Sequence, residues 1–366
     1  MKVIIAGGGT GGHLFPGIAL AETLTEKYPE SKIVFIGTQK GIEAKVIPKT
    51  GYDLIFISVQ GFVGKSLIEK AESIKSLLKS MFESKNIIKS LSPDIVFGVG
   101  GYASFPIVLI ASLSKIPTII LEQNTIPGLA NRILGKFASA IAITYPETIE
   151  YFKKDKTYLT GTPIRKKILE GNRDRAIKLF SFEENRTTIL ILGGSLGARK
   201  INKAMTEALS YLIPFKDSIQ IIHQTGEYDY NWVLKEYKNF PFKANVFPFI
   251  YNMVEAYSVA DLVISRAGAS TVAELTALGK ASILIPYPYA AYNHQEMNAR
   301  RLLSRGACDL ILDRELNGEI LAKKIIKILE KPETIRDMEI ASLSFGKPNA
   351  GEKIIEIAES LIRRKR

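Results

Sequence analysis

Short runs of valine, isoleucine, leucine and phenylalanine alternate with longer amphipathic stretches along the whole chain. A run of about four to eight such residues bounded by glycine or polar residues is typical of a buried strand, and apolar residues spaced three and four apart are typical of a helix. Strands are predicted at residues 2–6, 32–36, 53–57, 95–98, 118–122, 140–143, 187–192, 218–224, 245–248, 262–265, 282–285 and 309–312, and helices at 17–27, 69–90 and 350 to about 363. This alternation predicts an α/β fold with parallel sheets that carry helices on both faces.

The pattern that opens the chain, a strand followed by a glycine loop and a helix, restarts near residue 187. A chain of 366 residues is also longer than one hydrophobic core usually supports, so two domains are expected. Gly161 and Pro163 interrupt the periodicity between the two halves. The sequence therefore predicts one domain over residues 1–162, onto which a C-terminal helix at 350–366 packs back, and a second over 163–349.

The formal net charge of +12 indicates an anionic partner, such as a nucleic acid, a phosphorylated small molecule or a membrane surface. No zinc-finger spacing or aromatic RNA-binding motif occurs, so nucleic acid is not predicted. The single cysteine, Cys308, excludes an intramolecular disulfide and suits a reducing compartment. The first residues do not resemble a signal peptide, and no run reaches the ~20 apolar residues that a membrane-spanning helix needs.

Three glycine-rich loops follow predicted strands, and the first of them fits a dinucleotide-binding pattern. Its residues Gly7, Gly9 and Gly12 satisfy G-x-G-x-x-G. That pattern requires an acidic residue at the end of the second strand, where this chain has "GTQKG". The other loops are "GVGGYASFP" at 98–106 and "GGSLG" at 193–197. A hydride-transfer enzyme has no evident use for three such loops in two domains, so an oxidoreductase is not predicted.

A fourth stretch, "ISRAGASTVAELTALG" at 264–279, predicts the end of a strand, a tight turn and a helix. Ser270 and Thr271 are predicted to cap this helix, and Gly279 is predicted to end it. A plain capped helix with no ligand is the alternative.

Small residues at Gly268 and Ala269 would let an anion approach the first amides of this helix, where the helix dipole favours negative charge. Glu274 lies about one turn further on, and its carboxylate can accept hydrogen bonds from the two hydroxyls of a ribose. A phosphate site beside a ribose site indicates a nucleoside diphosphate.

Six stretches, read in order, resemble the motifs of the MurG family: "GGTGGHLFP", "GVGGYASFP", "LEQNTIPGLANR", "GTPIR", "GGSLGAR" and "SRAGASTVAEL…NHQEMNA". The resemblance runs from residue 3 to about residue 350. It implies the GT-B architecture, in which two Rossmann-like domains face each other across a cleft and the second binds most of the donor. It also implies transfer of N-acetylglucosamine from UDP-N-acetylglucosamine to undecaprenyl-pyrophosphoryl-N-acetylmuramoyl-pentapeptide in peptidoglycan synthesis.

The resemblance also implies binding roles for individual positions. It places Thr10, Gly11, Gly12 and Asn124 beside the donor sugar and acceptor. It places near the donor diphosphate Arg165, Ser195, Arg266, Gly268, Ala269, Ser270 and Thr271. It assigns Ile250 to the uracil edge, Glu274 to the ribose and Gln295 to the N-acetylglucosamine hydroxyls. The chain departs from the family at Leu121, where many members have histidine, and at Phe105, where many have glycine.

The expected reaction is attack of a sugar hydroxyl on the anomeric carbon with inversion, while uridine diphosphate leaves. A metal would require clustered carboxylates, but D-x-D occurs nowhere, and His13, His223 and His294 are not spaced as a ligand pair. A metal-independent site without a cofactor is therefore predicted, in which helix amides and an arginine stabilise the leaving phosphate.

The acceptor hydroxyl needs a base in this chemistry. His13, predicted at the tip of the first loop, is the first candidate; the alternative is that it only hydrogen-bonds the loop or a phosphate. Glu122 is a second candidate. His223, on a predicted strand, is predicted to be structural.

Residues 62–90 combine large apolar side chains with lysines, as in a basic helix that rests on an anionic membrane. The apolar residues are Leu67, Ile68, Ile74, Leu77, Leu78, Met81 and Phe82, and the lysines are Lys65, Lys70, Lys75, Lys79, Lys85 and Lys89. A buried apolar face with solvated lysines is the alternative. The first interpretation predicts a peripheral protein on the cytoplasmic face of the cell membrane.

The resemblance thus implies an inverting transferase that acts on the C4 hydroxyl of lipid I to give lipid II. A UDP-N-acetylglucosamine 2-epimerase is the enzyme alternative, because it shares the architecture and donor pocket. A non-catalytic nucleotide-sugar or membrane-surface binder is the alternative of another class.

Overall fold

The structure of this protein is a computed structural model that describes residues 1–59, 67–194 and 196–365, with the backbone alone for 67–74. It contains two compact units. Unit 1 comprises Met1–Arg165 and Lys347–Arg366, and unit 2 comprises Lys166–Gly346. The domain boundaries predicted from the sequence differ from these limits by three residues at each crossing.

Among the described residues of unit 1, seven strands form one parallel sheet in the order β3-β2-β1-β4-β5-β6-β7. The strands are β1 (Lys2–Gly7), β2 (Lys32–Gly37), β3 (Asp53–Phe56), β4 (Ile95–Gly100), β5 (Thr118–Glu122), β6 (Ala140–Ile143) and β7 (Thr157–Leu159). The helices between them are α1 (Gly11–Lys27), α2 (Glu43–Val46), α3 (Leu67–Leu91), α4 (Ser104–Leu113) and α5 (Leu129–Leu134). The C-terminal helix, Ala350–Lys365, also belongs to this unit.

Successive residues of the unit 1 strands enter two different cores. On β1, Val3 and Ile5 pack beneath α1 and the C-terminal helix, while Ile4 packs on the opposite face with α4. Continuous apolar strands of this kind are expected where helices cover both faces of a parallel sheet. Burial of each such side chain contributes about 1.5–3 kcal/mol.

The described part of unit 2 contains a six-stranded parallel sheet in the order β10-β9-β8-β11-β12-β13. The strands are β8 (Thr187–Leu192), β9 (Ile219–Gln224), β10 (Lys243–Phe247), β11 (Leu262–Ser265), β12 (Ala281–Leu284) and β13 (Asp309–Leu310). The helices are α6 (Arg173–Phe180), α7 (Arg199–Leu212), α8 (Tyr230–Tyr237), α9 (Met253–Val259), α10 (Ala269–Leu278), α11 (His294–Leu303), α12 (Gly318–Leu329) and α13 (Pro332–Phe345). Ile189 and Ile191 of β8 face the core under α7 and α12, and Leu190 and Leu192 face the core under α9 and α10.

Each strand predicted from the sequence is present, with ends that differ by at most two residues. Two expectations about unit 1 are wrong. Strand β7 was not predicted, because its three residues are too few for a periodicity to show. Helix α1 begins at Gly11 rather than at residue 17, because a glycine costs little in a first turn whose amides have no partner within the helix.

Candidate active site

The strand order of each unit places two glycine-containing loops side by side. In unit 1, strands β1 to β3 extend the sheet in one direction and strands β4 to β7 extend it in the other, so the strand order reverses between β1 and β4. In unit 2 the strand order reverses in the same way between β8 and β11. Ligands of open parallel sheets bind outside the carboxyl ends of the strands at such a reversal. The first and second glycine loops flank this position in unit 1. The third loop and the turn before α10 flank it in unit 2.

In unit 1 the two loops touch through their backbones. The Gly8 amide donates to the carbonyl oxygen of Gly100 at 3.3 Å. A Cβ on Gly101 would overlap the carbonyl of Gly8, and a Cβ on Gly100 would overlap the imidazole of His13. Both glycines also have positive φ, +102° at Gly100 and +80° at Gly101. The second loop therefore needs glycine for its backbone conformation and for the close approach of the first loop.

His13 lies in the first turn of α1, so its predicted place at the tip of the loop is wrong. Thr10 is the N-cap of this helix, and its carbonyl accepts from the His13 amide at 3.2 Å. Gly11 and Gly12 are the first two helical residues. Thr10, Gly11, Gly12 and the His13 ring are thus brought together at the amino end of α1, beside Gly100.

Glu122, the second candidate for a base, is a buried carboxylate that organises the loop after β5. Its Oε1 accepts from the amide of Asn124 at 3.0 Å and from Asn124 Nδ2 at 3.3 Å. Its Oε2 accepts from Asn131 Nδ2 at 2.8 Å and from the Gly128 amide at 3.2 Å. Burial raises the pKa of the Glu122 carboxyl above its ordinary value. Because Glu122 is buried and both its oxygens accept bonds from the loop, it positions Asn124 rather than facing a substrate.

Arg165, the last residue of unit 1 before the chain crosses to unit 2, has its guanidinium carbon 5.7 Å from the centre of the Phe15 ring. Its buried Nε atom has no hydrogen-bond partner among the residues that the structure describes. Phe15 belongs to α1, so this cation–π contact holds the arginine against the helix that carries His13.

In unit 2, Gln224 links the third glycine loop to the predicted uracil position. Its Nε2 donates to the carbonyl of Gly194 at 3.0 Å, and its Oε1 accepts from the Ile250 amide at 2.9 Å. The Ile250 amide is therefore already bound to Gln224. A uracil at this position would face the Ile250 carbonyl instead, unless the bond to Gln224 opens. Ser195, the predicted diphosphate contact of this loop, lies outside the described residues.

The amino end of α10 has the geometry that a phosphate site requires. Gly268 is the N-cap, and the first helical hydrogen bond runs from the Val272 amide to the Gly268 carbonyl at 2.9 Å. The amides of Ala269, Ser270 and Thr271 lie ahead of this bond, at the positive end of the helix dipole.

The prediction that Ser270 and Thr271 cap α10 is wrong. They are its second and third residues, and the small residue Gly268 takes the cap position. Among the described residues, the nearest atom that a Cβ on Gly268 would meet is the Thr271 hydroxyl oxygen at 3.9 Å. The expectation for the other end of the helix is confirmed: Gly279 is its C-cap, with φ +64°.

Glu274 lies one turn into α10 and is half-buried. Its Oε2 accepts a hydrogen bond from the hydroxyl of Tyr257 at 3.0 Å, and Tyr257 is one of the largest fully buried side chains. The buried tyrosine on α9 therefore orients the carboxylate from below.

Arg266 is held by protein groups. Its Nη1 donates to the carbonyls of Ile285 and Pro286 at 3.2 and 3.1 Å and to Asp313 Oδ1 at 2.6 Å. Asp313 also pairs with Lys200 at 3.2 Å. The side chains of Arg266 and Asp313 are only 14% and 13% exposed. This network fixes the turn between β11 and α10, so the bonds of the Arg266 guanidinium hold that turn in place.

Gln295, in the first turn of α11, accepts a hydrogen bond from the Tyr287 amide through Oε1 at 2.9 Å. Its neighbour His294 has Nδ1 2.7 Å from the carbonyl of Ala291, and burial lowers the His294 pKa. The loop after β12 is thus tied to the start of α11, and this places Gln295 at the carboxyl edge of the unit 2 sheet.

His223 has the structural role that its place on a strand predicts. It is fully buried, with Nδ1 3.0 Å from the hydroxyl of Tyr237 and Nε2 3.1 Å from Asn202 Oδ1. Burial lowers the His223 pKa to about 3. Within the described part of the chain, no three His, Cys, Asp or Glu side chains are grouped as metal ligands.

Helix α3 exposes part of the apolar surface that was predicted to face a membrane. Leu78 and Phe82, one turn apart, are 67% and 66% exposed, and Lys75 and Lys79 lie beside them in solvent. The other end of the helix is packed, because Ile88 is buried in the unit 1 core. Residues 62–66 lie outside the described chain, as do the side chains of Leu67, Ile68, Lys70 and Ile74. None of the described helices is both long and apolar enough to span a bilayer.

The sequence did not indicate four residues that support these loops and the start of α10: Glu43, Gln224, Tyr257 and Asp313. Glu43, Gln224 and Asp313 act through hydrogen bonds to loop or turn residues that are distant along the chain, and Tyr257 acts through one to Glu274 of α10. Such distant partners leave no local pattern. The one available signal was a polar residue inside an apolar stretch, as at Gln224 within β9.

Domain and sequence comparisons agree with one another over the whole chain. The N-terminal domain of glycosyltransferase family 28 matches residues 3–143, and its C-terminal domain matches residues 188–354. The chain is 81% identical, over its full length and that of the relative, to the UDP-N-acetylglucosamine–N-acetylmuramyl-(pentapeptide) pyrophosphoryl-undecaprenol N-acetylglucosamine transferase of Thermodesulfovibrio yellowstonii. It is 44% identical to the Myxococcus xanthus protein of the same name, over 99% of this chain and 93% of that one.

Solved structures give the same result. The Acinetobacter baumannii MurG crystal structure superposes with a TM-score of 0.77 at 28% identity and covers 98% of this chain and 99% of that one. The crystal structure of a putative UDP-N-acetylglucosamine 2-epimerase from Listeria monocytogenes superposes with a TM-score of 0.71 at 16% identity, over 99% of this chain and 97% of that one. At that identity the likeness shows the fold alone. The predicted fold class, α/β with two Rossmann-like domains of the GT-B type, is confirmed.

Proposed function

The chain belongs to the MurG family within glycosyltransferase family 28 and is an N-acetylglucosaminyltransferase, and we propose on that basis that it converts lipid I to lipid II. The donor is UDP-N-acetylglucosamine, and the acceptor is undecaprenyl-pyrophosphoryl-N-acetylmuramoyl-pentapeptide. Transfer to the C4 hydroxyl, inversion at the anomeric carbon and independence of metal are finer parts of the same proposal.

One observation carries the donor assignment: the glycine-capped amino end of α10 stands one helical turn from a carboxylate that a buried tyrosine orients. The amides of residues 269–271 suit a diphosphate, and Glu274 suits the two ribose hydroxyls. The carboxyl edge of the unit 2 sheet also carries Gln295 and Ile250, the positions proposed for the sugar hydroxyls and the uracil.

In the proposed reaction the acceptor oxygen forms a bond to C1 of N-acetylglucosamine as the bond from C1 to the diphosphate oxygen breaks. Attack opposite the leaving group inverts C1, and the acceptor proton goes to a base. The electron pair of the broken bond leaves with uridine diphosphate. Preorganised amides at the amino end of α10 stabilise that developing charge without a metal ion.

On the unit 1 side, His13 is the proposed base. Thr10, Gly11 and Gly12 adjoin it at the amino end of α1, and Asn124 is held by the buried Glu122 as a contact for the donor sugar. Arg165 and Ser195 are proposed near the diphosphate. Arg266 is proposed to act through the turn that it fixes, because its guanidinium already binds Asp313 and two carbonyls.

The lipid part of the acceptor places the reaction at a membrane. We propose that the exposed face of α3, with Leu78 and Phe82 flanked by Lys75 and Lys79, rests on an anionic lipid surface. The protein is then peripheral on the cytoplasmic face of the cell membrane.

The test is incubation of the full chain with UDP-N-acetylglucosamine, with and without a short-chain polyprenyl-pyrophosphoryl-N-acetylmuramoyl-pentapeptide. The expected product is a disaccharide lipid whose new linkage is β, formed at the same rate with and without EDTA. An acceptor that lacks the C4 hydroxyl should give no product.

Each part of the proposal has its own contrary result. Free N-acetylmannosamine without lipid acceptor would identify the epimerase. Tight donor binding without turnover would identify a binder. Loss of activity in EDTA that Mg²⁺ restores would contradict metal independence, and an α-linked product would contradict inversion.

A further inference from the structure

Glu43 is a carboxylate that the unit 1 fold buries between the loops after β1 and β2. It is the first residue of α2 and only 1% exposed. It belongs to none of the six family motifs. Its Oε2 accepts from the Gly9 amide at 2.7 Å, and its Oε1 accepts from the amide and the hydroxyl of Thr38 at 2.8 and 2.9 Å.

Three glycines make room for this carboxylate. A Cβ on Gly8, Gly37 or Gly41 would overlap the Glu43 side chain. Burial of a carboxylate is unfavourable unless hydrogen bonds replace its water. The three bonds to Gly9 and Thr38 supply that replacement, and they tie two loops together through one side chain.

The loop that Glu43 holds is the one that leads into α1. Gly9, with φ +82°, directly precedes the N-cap Thr10, and His13 follows in the first turn. The neighbouring Gly8 amide is bound to the carbonyl of Gly100 on the other side. The first glycine loop is therefore fixed from both sides, once by the second glycine loop and once by Glu43.

This contact also separates the loop from a dinucleotide cradle. In such a cradle the loop amides approach the ligand's phosphates. Here the Gly9 amide is directed at a carboxylate of the protein itself, so the loop serves to place the start of α1.

We propose that Glu43 is a positioning residue for the acceptor side of the transferase reaction. Its carboxylate sets the first glycine loop so that Thr10 and His13 have their working geometry at the amino end of α1. This inference rests on the proposed function of those residues.

The role requires a carboxylate rather than an amide of the same shape. All three groups that face Glu43 are donors, and a glutamine would present its NH₂ to one side. If the glutamine oxygen keeps the Thr38 pair, its NH₂ faces the Gly9 amide and the bond to the loop is lost.

The experiment compares Glu43→Gln with the unmodified chain in two measurements. The first is kcat/KM for the short-chain lipid acceptor at saturating donor, which should fall by about tenfold or more, as expected for loss of a hydrogen bond to a charged group. The second is the Kd for uridine diphosphate by calorimetry, which should stay within about twofold, because that site lies on unit 2.

Three further variants make the comparison specific. Glu207→Gln is the matched control, because Glu207 Oε2 also accepts a glycine amide, that of Gly318 at 3.1 Å, and lies outside the proposed site. Thr38→Val removes one donor to Glu43 but keeps the Gly9 bond, so its acceptor kcat/KM should fall less than that of Glu43→Gln. Glu43→Asp keeps the charge on a shorter side chain and should recover part of the activity.

Unchanged acceptor kcat/KM in folded Glu43→Gln would overturn the inference. So would a loss that follows the unfolded fraction and reduces diphosphate binding equally, since that is the signature of a purely structural role. If Glu43→Gln does not fold, the same two measurements on Glu43→Asp decide, with a selective loss on the acceptor side as the supporting result. Absence of disaccharide product with the unmodified chain would instead contradict the proposed function.

Discussion

Replacement of Glu274 by glutamine or alanine should weaken binding of UDP-N-acetylglucosamine and leave turnover at saturating donor nearly unchanged. The ribose is remote from the bond that breaks, so the contact is equally strong in the ground state and the transition state. Loss of such uniform binding raises KM without lowering kcat. The structure supports this expectation because Tyr257 already holds the carboxylate in place.

The magnitude follows from the number of hydrogen bonds. The carboxylate of Glu274 offers one acceptor oxygen to each ribose hydroxyl, and a hydrogen bond to a charged group contributes about 1.5–3 kcal/mol. Glutamine keeps one acceptor oxygen, so the donor KM should rise about 10- to 150-fold. Alanine keeps none and should exceed that increase. Tyr257→Phe removes the orienting bond of 3.0 Å and should raise KM by at most about tenfold.

The assay is steady-state release of uridine diphosphate at saturating short-chain lipid acceptor, with donor concentration varied for each variant. Calorimetric Kd values for uridine diphosphate supply an independent measure of the same loss. Glu207→Gln again serves as the control carboxylate on unit 2.

The order of the three variants is the critical result. A donor KM that is unchanged in Glu274→Ala would refute the ribose assignment. A large fall in kcat at constant KM would refute it as well, because it would place Glu274 at the reacting centre.

Three further outcomes are expected. Asp313→Asn leaves the Arg266 charge without the carboxylate that pairs with it, so it should lower the free energy of unfolding in urea by about 2–3 kcal/mol and also reduce turnover. Equal urea midpoints for the two chains would contradict the expected loss of stability. His223 binds a proton near pH 6.5 in the unfolded chain but stays neutral down to about pH 3 in the folded chain. The free energy of unfolding should therefore be highest above pH 6.5 and fall by about 2 kcal/mol between pH 7 and pH 5. His223→Gln should lose this component, and a His223 NMR signal that titrates near pH 6.5 in the native chain would disprove the reasoning. Changing Leu78 and Phe82 together to serine should weaken co-sedimentation with anionic vesicles by about tenfold or more and spare uridine diphosphate binding, because each removes apolar area worth about 1.5–3 kcal/mol when buried; unchanged sedimentation would show that α3 does not carry the membrane contact.

The glycine loops illustrate how far sequence reasoning reached. Their residues are contiguous, so their presence after strands could be predicted from the chain alone. That the first loop lies against the second could not, because it depends on β1 and β4 being neighbours although more than eighty residues separate them. The contact between Gly101 and Gly8 exists only after that pairing.

The start of α10 shows a different limit. The sequence correctly indicated a helix with small residues at its amino end, but it assigned the cap to Ser270 and Thr271. Local preference favours serine and threonine at the N-cap. The structure instead places Gly268 there, so the cap residue itself carries no side chain.

The sequence by itself determined the strands other than β7, the extents of α3 and the C-terminal helix to within two residues, the division into two Rossmann-like halves and the identity of the glycine loops. These features depend on periodicity and on the conformations open to glycine, which act within a few residues. Only the tertiary structure decided which loops meet, that Glu43 and Glu122 are buried beneath them, and that Arg266 is bound by Asp313. Those relations depend on strand order and on the need of buried polar groups for partners, and such partners come from residues distant along the chain.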